Sequence, residues 1–593
     1  MSRSAIVRRA LRAGLVGGAI VVYLALVGMI ERFQVRNLIG TQVTLARLLI
    51  AAPAFLAGLV AARPRIASGR VEQPTLRQAW ALGALTGAVA GAGTGLIMLI
   101  WDAIGIDSVR NVFLNASPTL MSILTFGHSV IAGGLILTVG GAVVGAAGSV
   151  SRLLQFRIRR PLATGVVTML ILALLQRIVP TALFELGLSS GWLYSPFTGG
   201  LTWLGAALVV VAATAAAWFW TERRRTTPAG PEGTPQGRRM TRYVALLAIA
   251  GVLAVLPQLI GSVFSNILGD VGIYLLMGLG LNIVVGYAGM LHLGNVAFFA
   301  AGAYLTAVFM SAVPVTALGQ GHAALSWHLS FYAALPLVIV LSAVLGVLIA
   351  GPVLRLRGDY LAIVTLGFGQ IVSVLLQSDW LKPVLGGAQG LTGIAPAPIA
   401  GISFRNPQSF YYLMVVLCVA AIYVSWRLSE SRIGRAWNAM REDEQVAEAM
   451  GINTVRYKLL AFALGGAIGS LAGALFAVRI GSLTPTSFEL LVSITALAVV
   501  ILGGMGSIPG VVVGALALIG LPGLLSEFED YRLLIYGAAL VAIMILRPQG
   551  LIPNVRTARE LKDEEILQDA WSRIYAGREP APAAVGDAGE ERA

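Results

Sequence analysis

The sequence predicts an all-α protein, a polytopic bundle of transmembrane helices. Three observations carry that prediction. Of 593 residues, 57% are hydrophobic and only 12% are charged, whereas a soluble domain carries roughly a quarter charged. The mean hydropathy is +0.82, more apolar surface than a soluble fold can withdraw from water. The apolar residues also gather into runs of about 20, the length that crosses a bilayer core about 30 Å thick. The 70 glycines fall inside these runs, as in packed membrane helices, and follow no collagen period.

Taken in order, the runs lie near residues 13–31, 41–62, 79–101, 127–150, 162–180 and 200–220. After a break they resume near 243–261, 268–289, 294–312, 331–354, 359–377, 410–427, 458–478, 487–503, 508–525 and 531–546. The expectation is therefore about 16 spans, six in an N-terminal module and ten in a second. The first run is longer than a signal-peptide core and no small-x-small cleavage site follows it, so it reads as a retained helix.

Loop charges orient the bundle. Arg3, Arg8, Arg9 and Arg12 precede the first span, which places the N-terminus in the cytoplasm by the positive-inside rule. Every loop that the count then puts inside is basic, among them Arg152 to Arg160, Arg223 to Arg239 and Arg427 to Arg441. Arg32, Arg36 and Arg47 run against the rule. The net charge of +14 thus reflects topology, and no nucleic-acid partner is expected. One cysteine, Cys418, and four histidines without HxxxH or HxH spacing point to no disulfide and no metal centre.

Residues 221–241 are charged, rich in Pro and Gly and without apolar periodicity, which reads as a cytoplasmic linker. The expected divisions are a six-helix module at 1–220, the linker, a ten-helix module at 242–553 and a cytoplasmic tail at 554–593. In the tail, Leu561, Ile566, Ala570, Trp571 and Ile574 suggest a short amphipathic helix, with disorder from Pro580 onward.

The largest inward insert runs from about Leu428 to Tyr457. Trp437, Met440, Ala447 and Met450 fall at intervals of 3, 7 and 3, near one face of a helix. Arg441, Glu442, Asp443 and Glu444 form a charge block on the remaining surface, and Gly451 stands where a C-cap belongs. An apolar stripe between two spans needs a partner. The alternatives are lipid and protein, and the acidic block disfavours an inner leaflet that is itself negative.

The stretch "SRIGRAWNAMREDEQVAEAMGINTVRYKLLAFALGGAIGSLAGALFA" resembles the coupling region of the branched-chain amino acid permeases of ABC importers, the LivM-type family, with its urea and amide relatives. Further stretches agree in the family's order. They are "GLGLNIVVGYAGMLHLGNVAFFAAGAYLTAV", "RLRGDYLAIVTLGFGQIV", "GGAQGLTGI", "VVILGGMGSIPGVVVGA" and "RPQGLIP". Together they cover about residues 245–555. The resemblance implies that Glu448, Ala449, Gly451 and their neighbour Ile452 belong to a helix that docks into a groove of an ATPase subunit. It also implies that ATP is bound only by those partners, that a second permease subunit is present, identical or different, and that an extracytoplasmic solute-binding protein delivers the solute. The implied location is a bacterial inner membrane, with both termini cytoplasmic and lipid around the bundle.

Asn282, His292, Asn295 and Gln370 are polar residues in apolar runs. Such groups either bond helix to helix or line a polar translocation path. The family often has Ser, His and Glu at positions 292, 295 and 370, so the solute is not fixed by the resemblance. Gly386, Gly387, Gln389, Gly390 and Thr392 lie in a long external loop, which is either an ordinary turn or, by the resemblance, the surface where a binding protein docks. Gly465, Gly469 and Gly473, like Gly83, Gly87, Gly91 and Gly95, recur every fourth residue and read as helix packing. With no GxxxxGK[ST] loop and no hydrolase motif, an enzyme is not expected and energy must come from another subunit. The rival reading is an ion-gradient secondary transporter, disfavoured because the acidic residues of the second module fall at predicted helix ends. Residues 1–240 lie outside the resemblance and read as an accessory module.

Overall fold

A backbone in hydrocarbon must satisfy its own hydrogen bonds, and the apolar runs do so as helices. The computed structural model describes residues 3–63, 65–67, 70–72, 74–176, 178–185, 187–226, 235–310, 329–353, 359–399, 402–404, 406–524, 531–546 and 549–553. Among these, ten helices are long and apolar enough to cross a membrane, or eleven if Arg157–Leu174 and the bent continuation Ile178–Phe184 are one span. Leu45–Ala61, Asn295–Met310 and Ile508–Leu524 are shorter apolar helices at three more of the expected positions. The run near 243–261 forms the first part of a longer helix, and the last run forms Arg532–Leu546, 15 residues long. Each expected run is helical, but length and composition alone do not reach sixteen crossings.

Contacts divide the chain into Met1–Ile249 and Ala250–Ala593. The expected linker is shortened from both sides, because one helix runs through Thr226 and the next starts at Pro235. The proposed tail, 554–593, and the basic residues Arg355, Arg357 and Arg547 lie outside the described residues.

The first unit contains α1 (Arg3–Leu26), α2 (Leu45–Ala61), α3 (Leu76–Ile104), α4 (Val130–Ser151), α5 (Phe156–Leu174) and α6 (Trp203–Thr226). Its glycine stripe is a packing device. A Cβ on Gly83, Gly87 or Gly91 of α3 would strike backbone of α4 at Gly145, Gly141 or Leu137, and one on Gly95 would lie 3.0 Å from Gly134 Cα. Lacking those carbons, the two backbones touch, and Ser149 Oγ donates across to Ala79 O at 2.7 Å. Arg36, one of the arginines that breaks the charge rule, is buried and donates to the carbonyl of Leu174 at the C-terminal end of α5. It satisfies an orphan carbonyl of a helix terminus, a role that a loop-charge count does not anticipate.

The second unit begins within α7 (Pro235–Leu281), which breaks at Gly261 (φ 77°), four residues after Pro257. A π-helical turn, Asn282–Tyr287, follows, and then α8 (Asn295–Met310), α9 (Phe331–Val353), α10 (Asp359–Gln377) and α11 (Pro407–Glu430). The insert forms α12 (Arg432–Glu442) and α13 (Glu444–Ala449). It leads into α14 (Thr454–Ile480), α15 (Leu490–Gly503), α16 (Ile508–Ala515) and α17 (Arg532–Leu546). At the centre stands α14, buried along most of its length because small residues line it. A Cβ on Gly465 would come within 2.8 Å of Gly280 O, and one on Gly473 would strike Phe299 O, so α7 and α8 lie directly against it. Phe298, Phe299, Phe462, Phe476 and Phe488 fill the space around it.

Candidate coupling insert and polar core

The insert is not one helix. Ser431 caps α12, its Oγ accepting from the amides of Ile433 and Gly434 at 3.2 and 3.3 Å. Asp443 then adopts an extended conformation (φ −153°, ψ 113°) and caps α13, its Oδ1 accepting from Gln445 N at 2.8 Å and Val446 N at 3.0 Å. A member of the expected charge block is thus a helix stop and start. Gly451 (φ +86°) closes α13, with its amide on Glu448 O and that of Ile452 on Ala447 O.

That break corrects the expected single stripe. Trp437 is 0% exposed, and Ala436, Met440 and Ala447 are buried with it, while Met450 is 79% exposed. An extended residue resets the helical phase, so within α13 Ala447 alone is buried and Met450 turns outward. The partner of the Trp437–Met440 face is this chain itself. The indole Nε1 of Trp437 donates to Tyr457 O at 2.8 Å, and Lys458 on α14 pairs with Glu444 at 2.6 Å. What faces outward is α13 and its cap: Gln445, Val446 (58% exposed), Glu448, Ala449, Met450 and Gly451. Glu442 and Asp443 are exposed beside them, and Ile452 is half-buried.

Arg441 joins the insert to the core. Its Nη1 donates to the carbonyl of Gly286 in the π-helical turn at 2.6 Å, and its stem covers Gly289, where a Cβ would lie 2.8 Å from Arg441 Cγ. The turn carries Asn282, whose Oδ1 accepts from Gly506 N at 2.8 Å. Onward from the turn, Leu293 N donates to Thr365 Oγ1 (3.1 Å) and Val296 N to Ser493 Oγ (2.8 Å). The segment 282–296 is therefore held by polar contacts from α10, α12, α15 and the turn before α16. Thr365, Ser493 and Gly506 are members of this set that the sequence did not single out. Hydroxyls and glycines in apolar runs give no periodic signal.

Of the four polar residues expected near a path, Asn282, His292 and Asn295 are buried in this segment and Gln370 is exposed on α10. Asn282 and Asn295 spend polar atoms on backbone, the latter through a long 3.4 Å contact to Met277 O. His292, 1% exposed, sits between Phe298 and Phe462 at centroid distances of 5.6 and 5.1 Å, and neither ring nitrogen has a partner among the described residues.

At the other end of α14 the glycine loop is fastened down. Gly386, Gly387 and Gly390 are buried at φ +78°, +58° and +71°, whereas Gln389 and Thr392 are exposed. Leu391 and Thr392 pair antiparallel with Leu483 and Ser482, and Ile394 N donates to Gly481 O at 3.1 Å. Beside this pairing Arg479 holds Asp270 through two bonds of 2.6 and 3.0 Å and reaches Asn266. These contacts fix α7, α14 and the loop to one another. Among the described residues no group of three or more His, Cys, Asp or Glu is placed to hold a metal ion.

Apolar spans around a small-residue central helix, with a two-part polar insert between spans, define a multi-span helical membrane protein. Residues 263–544 match the family described as branched-chain amino acid transport system / permease component. The chain is 37% identical over 349 residues to the high-affinity branched-chain amino acid transport system permease protein LivM of Salmonella typhimurium, covering 55% of this chain and 78% of that protein. It is 36% identical over 350 residues to LivM of Escherichia coli K12, covering 55% and 79%. To LivH of the same organism it is 26% identical over 290 residues, covering 47% and 91%. No solved structure matches. The chain belongs to the branched-chain amino acid transport permease family and is a transport protein, not an enzyme. The family match lies within the second unit, Ala250–Ala593.

Proposed function

We propose that this chain is the membrane-spanning permease subunit of an ATP-binding-cassette importer, carrying branched-chain amino acids or a related small amide inward. The observation that carries the reading is the division of the insert: α12 is locked into the permease by Trp437 and Arg441, and α13 presents Val446, Glu448 and Met450 outward. Two exposed apolar side chains around a carboxylate form a knob for a protein groove, here that of an ATPase subunit. The names of the relatives support the solute class. A second permease and an extracytoplasmic binding protein complete the assembly, the latter at the loop bearing Gln389 and Thr392.

In this mechanism closure of the ATPase pair pushes α13, and α12 moves with it as a rigid unit. Arg441 transmits the displacement to the turn 282–287, and α14, about 40 Å long, carries it to the external loop. The pore then alternates between two discrete arrangements, as packed cores do. His292, whose ring nitrogens have no partner among the described residues, is the side chain proposed to meet the solute when the core opens. The test is co-purification of the ATPase subunits with Glu448→Arg and Gly451→Trp variants. Loss of the complex while the permease stays monodisperse supports docking; retained complex and uptake in both overturn it.

A further inference from the structure

The first unit, outside the family match, holds a long groove between α1 and α2 of about 1020 Å³. Its walls are apolar along most of their length, with Val16, Ile20 and Leu24 on α1 facing Leu49 and Leu56 on α2, and small residues such as Ala52 and Ala57 in between. At one end the lining changes to Arg8, Arg9 and Arg12, and it contains no carboxylate. Arg9 donates to Val60 O at 3.2 Å and Arg63 O at 3.0 Å, tying α1 to the C-terminal carbonyls of α2 and fixing the mouth. Arg8 and Arg12 are exposed beside it.

We propose that this groove is a binding site for one anionic phospholipid, its phosphate held by Arg8 and Arg12 and an acyl chain laid along Val16, Ile20 and Leu24. Two features select that occupant. The cations are confined to one end, matching a molecule that is charged at one end and apolar along the rest. From Val16 to Leu24 the helix rises about 12 Å, close to the ~15 Å hydrocarbon depth of one leaflet. A solute zwitterion would leave the apolar walls bare, and a packed apolar helix would leave the arginines unmatched.

The test uses the full chain purified in a neutral detergent and titrated with dioleoylphosphatidylglycerol or dioleoylphosphatidylcholine, with retained lipid read by native mass spectrometry and melting temperature read in parallel. An arginine beside an anionic headgroup is worth roughly a fivefold change in affinity. The wild type is expected to favour phosphatidylglycerol by at least about tenfold, and Arg8→Gln with Arg12→Gln to bring that preference within about twofold. Arg110→Gln with Arg157→Gln, an equal change of charge elsewhere in the unit, is expected to keep it. Ala52→Phe, which fills the groove, is expected to weaken both lipids. Absence of a headgroup preference in the wild type, or equal loss in the control pair, overturns the proposal, and the arginine variants decide it even if Ala52→Phe fails to fold.

Discussion

Arg441 and Gly286, 155 positions apart, are joined by a 2.6 Å hydrogen bond from guanidinium to backbone carbonyl. This bond ties the last turn of α12 to a π-helical turn, a local irregularity of the kind that often marks functional segments. If it transmits the motion of the insert, Arg441→Ala is expected to cut solute uptake by about tenfold or more while ATPase co-purification is retained. An effect of that size corresponds to roughly 1.4 kcal/mol, within the range of a charge-assisted hydrogen bond. Arg441→Lys, which keeps the charge but loses the planar fork, is expected to recover only part. Unchanged uptake in the alanine variant would remove this bond from the mechanism.

Trp437 is the anchor of the insert, fully buried with its single polar atom bonded to Tyr457 O. Trp437→Ala is expected to cost about 3–5 kcal/mol. Trp437→Phe, which keeps most of the volume and loses the donor, is expected to cost about 1–2 kcal/mol. Thermal unfolding of the purified chain checks the order.

Asp443→Ala removes the carboxylate oxygen that accepts two capping hydrogen bonds at the start of α13 and is expected to cost about 1 kcal/mol of local stability. The predicted signature is faster amide exchange confined to 444–450 and weaker ATPase binding, with global melting almost unmoved. Asp443→Asn, still a good cap, should restore both.

Gly473 lies where a Cβ would strike the backbone of Phe299. Gly473→Leu is expected to push α8 from α14 and lower stability by at least about 2 kcal/mol, since backbone cannot step aside as a side chain does. Unfolding measurements on the variant and on Gly93→Ala, where a Cβ meets nothing within 4 Å, provide the contrast.

His292→Phe tests the solute path separately from stability. The ring already packs between Phe298 and Phe462, so an aromatic replacement keeps the ring contacts, adds little volume and removes the two nitrogens. The expected result is normal folding with uptake reduced about tenfold or its solute preference altered; unchanged kinetics and preference would assign His292 to packing alone.

Much of the helical layout was legible because a bilayer demands runs of fixed length, and both glycine stripes could be read as packing because only small residues permit backbone contact. The insert was located by its polarity between apolar runs, but its faces were not. Reading Trp437 to Met450 as one stripe assumed one helix, and the cap at Asp443 is hidden within a charge block, 441–444, whose members the sequence does not tell apart. The anchors at Tyr457 O and Gly286 O are backbone carbonyls, which every residue carries, so sequence cannot mark them. Arg36 and Arg479 were opaque for a related reason: their partners lie 138 and 209 positions away.

On this reading an ATPase drives the permease through α13. The direct measurement is solute uptake into vesicles reconstituted with the chain, its partner permease, the ATPase subunits and the binding protein. The expected result is accumulation that requires ATP on the ATPase side, survives collapse of the proton gradient and is lost in Val446→Asp with Met450→Asp. Accumulation driven by an imposed ion gradient with no ATPase present would contradict it.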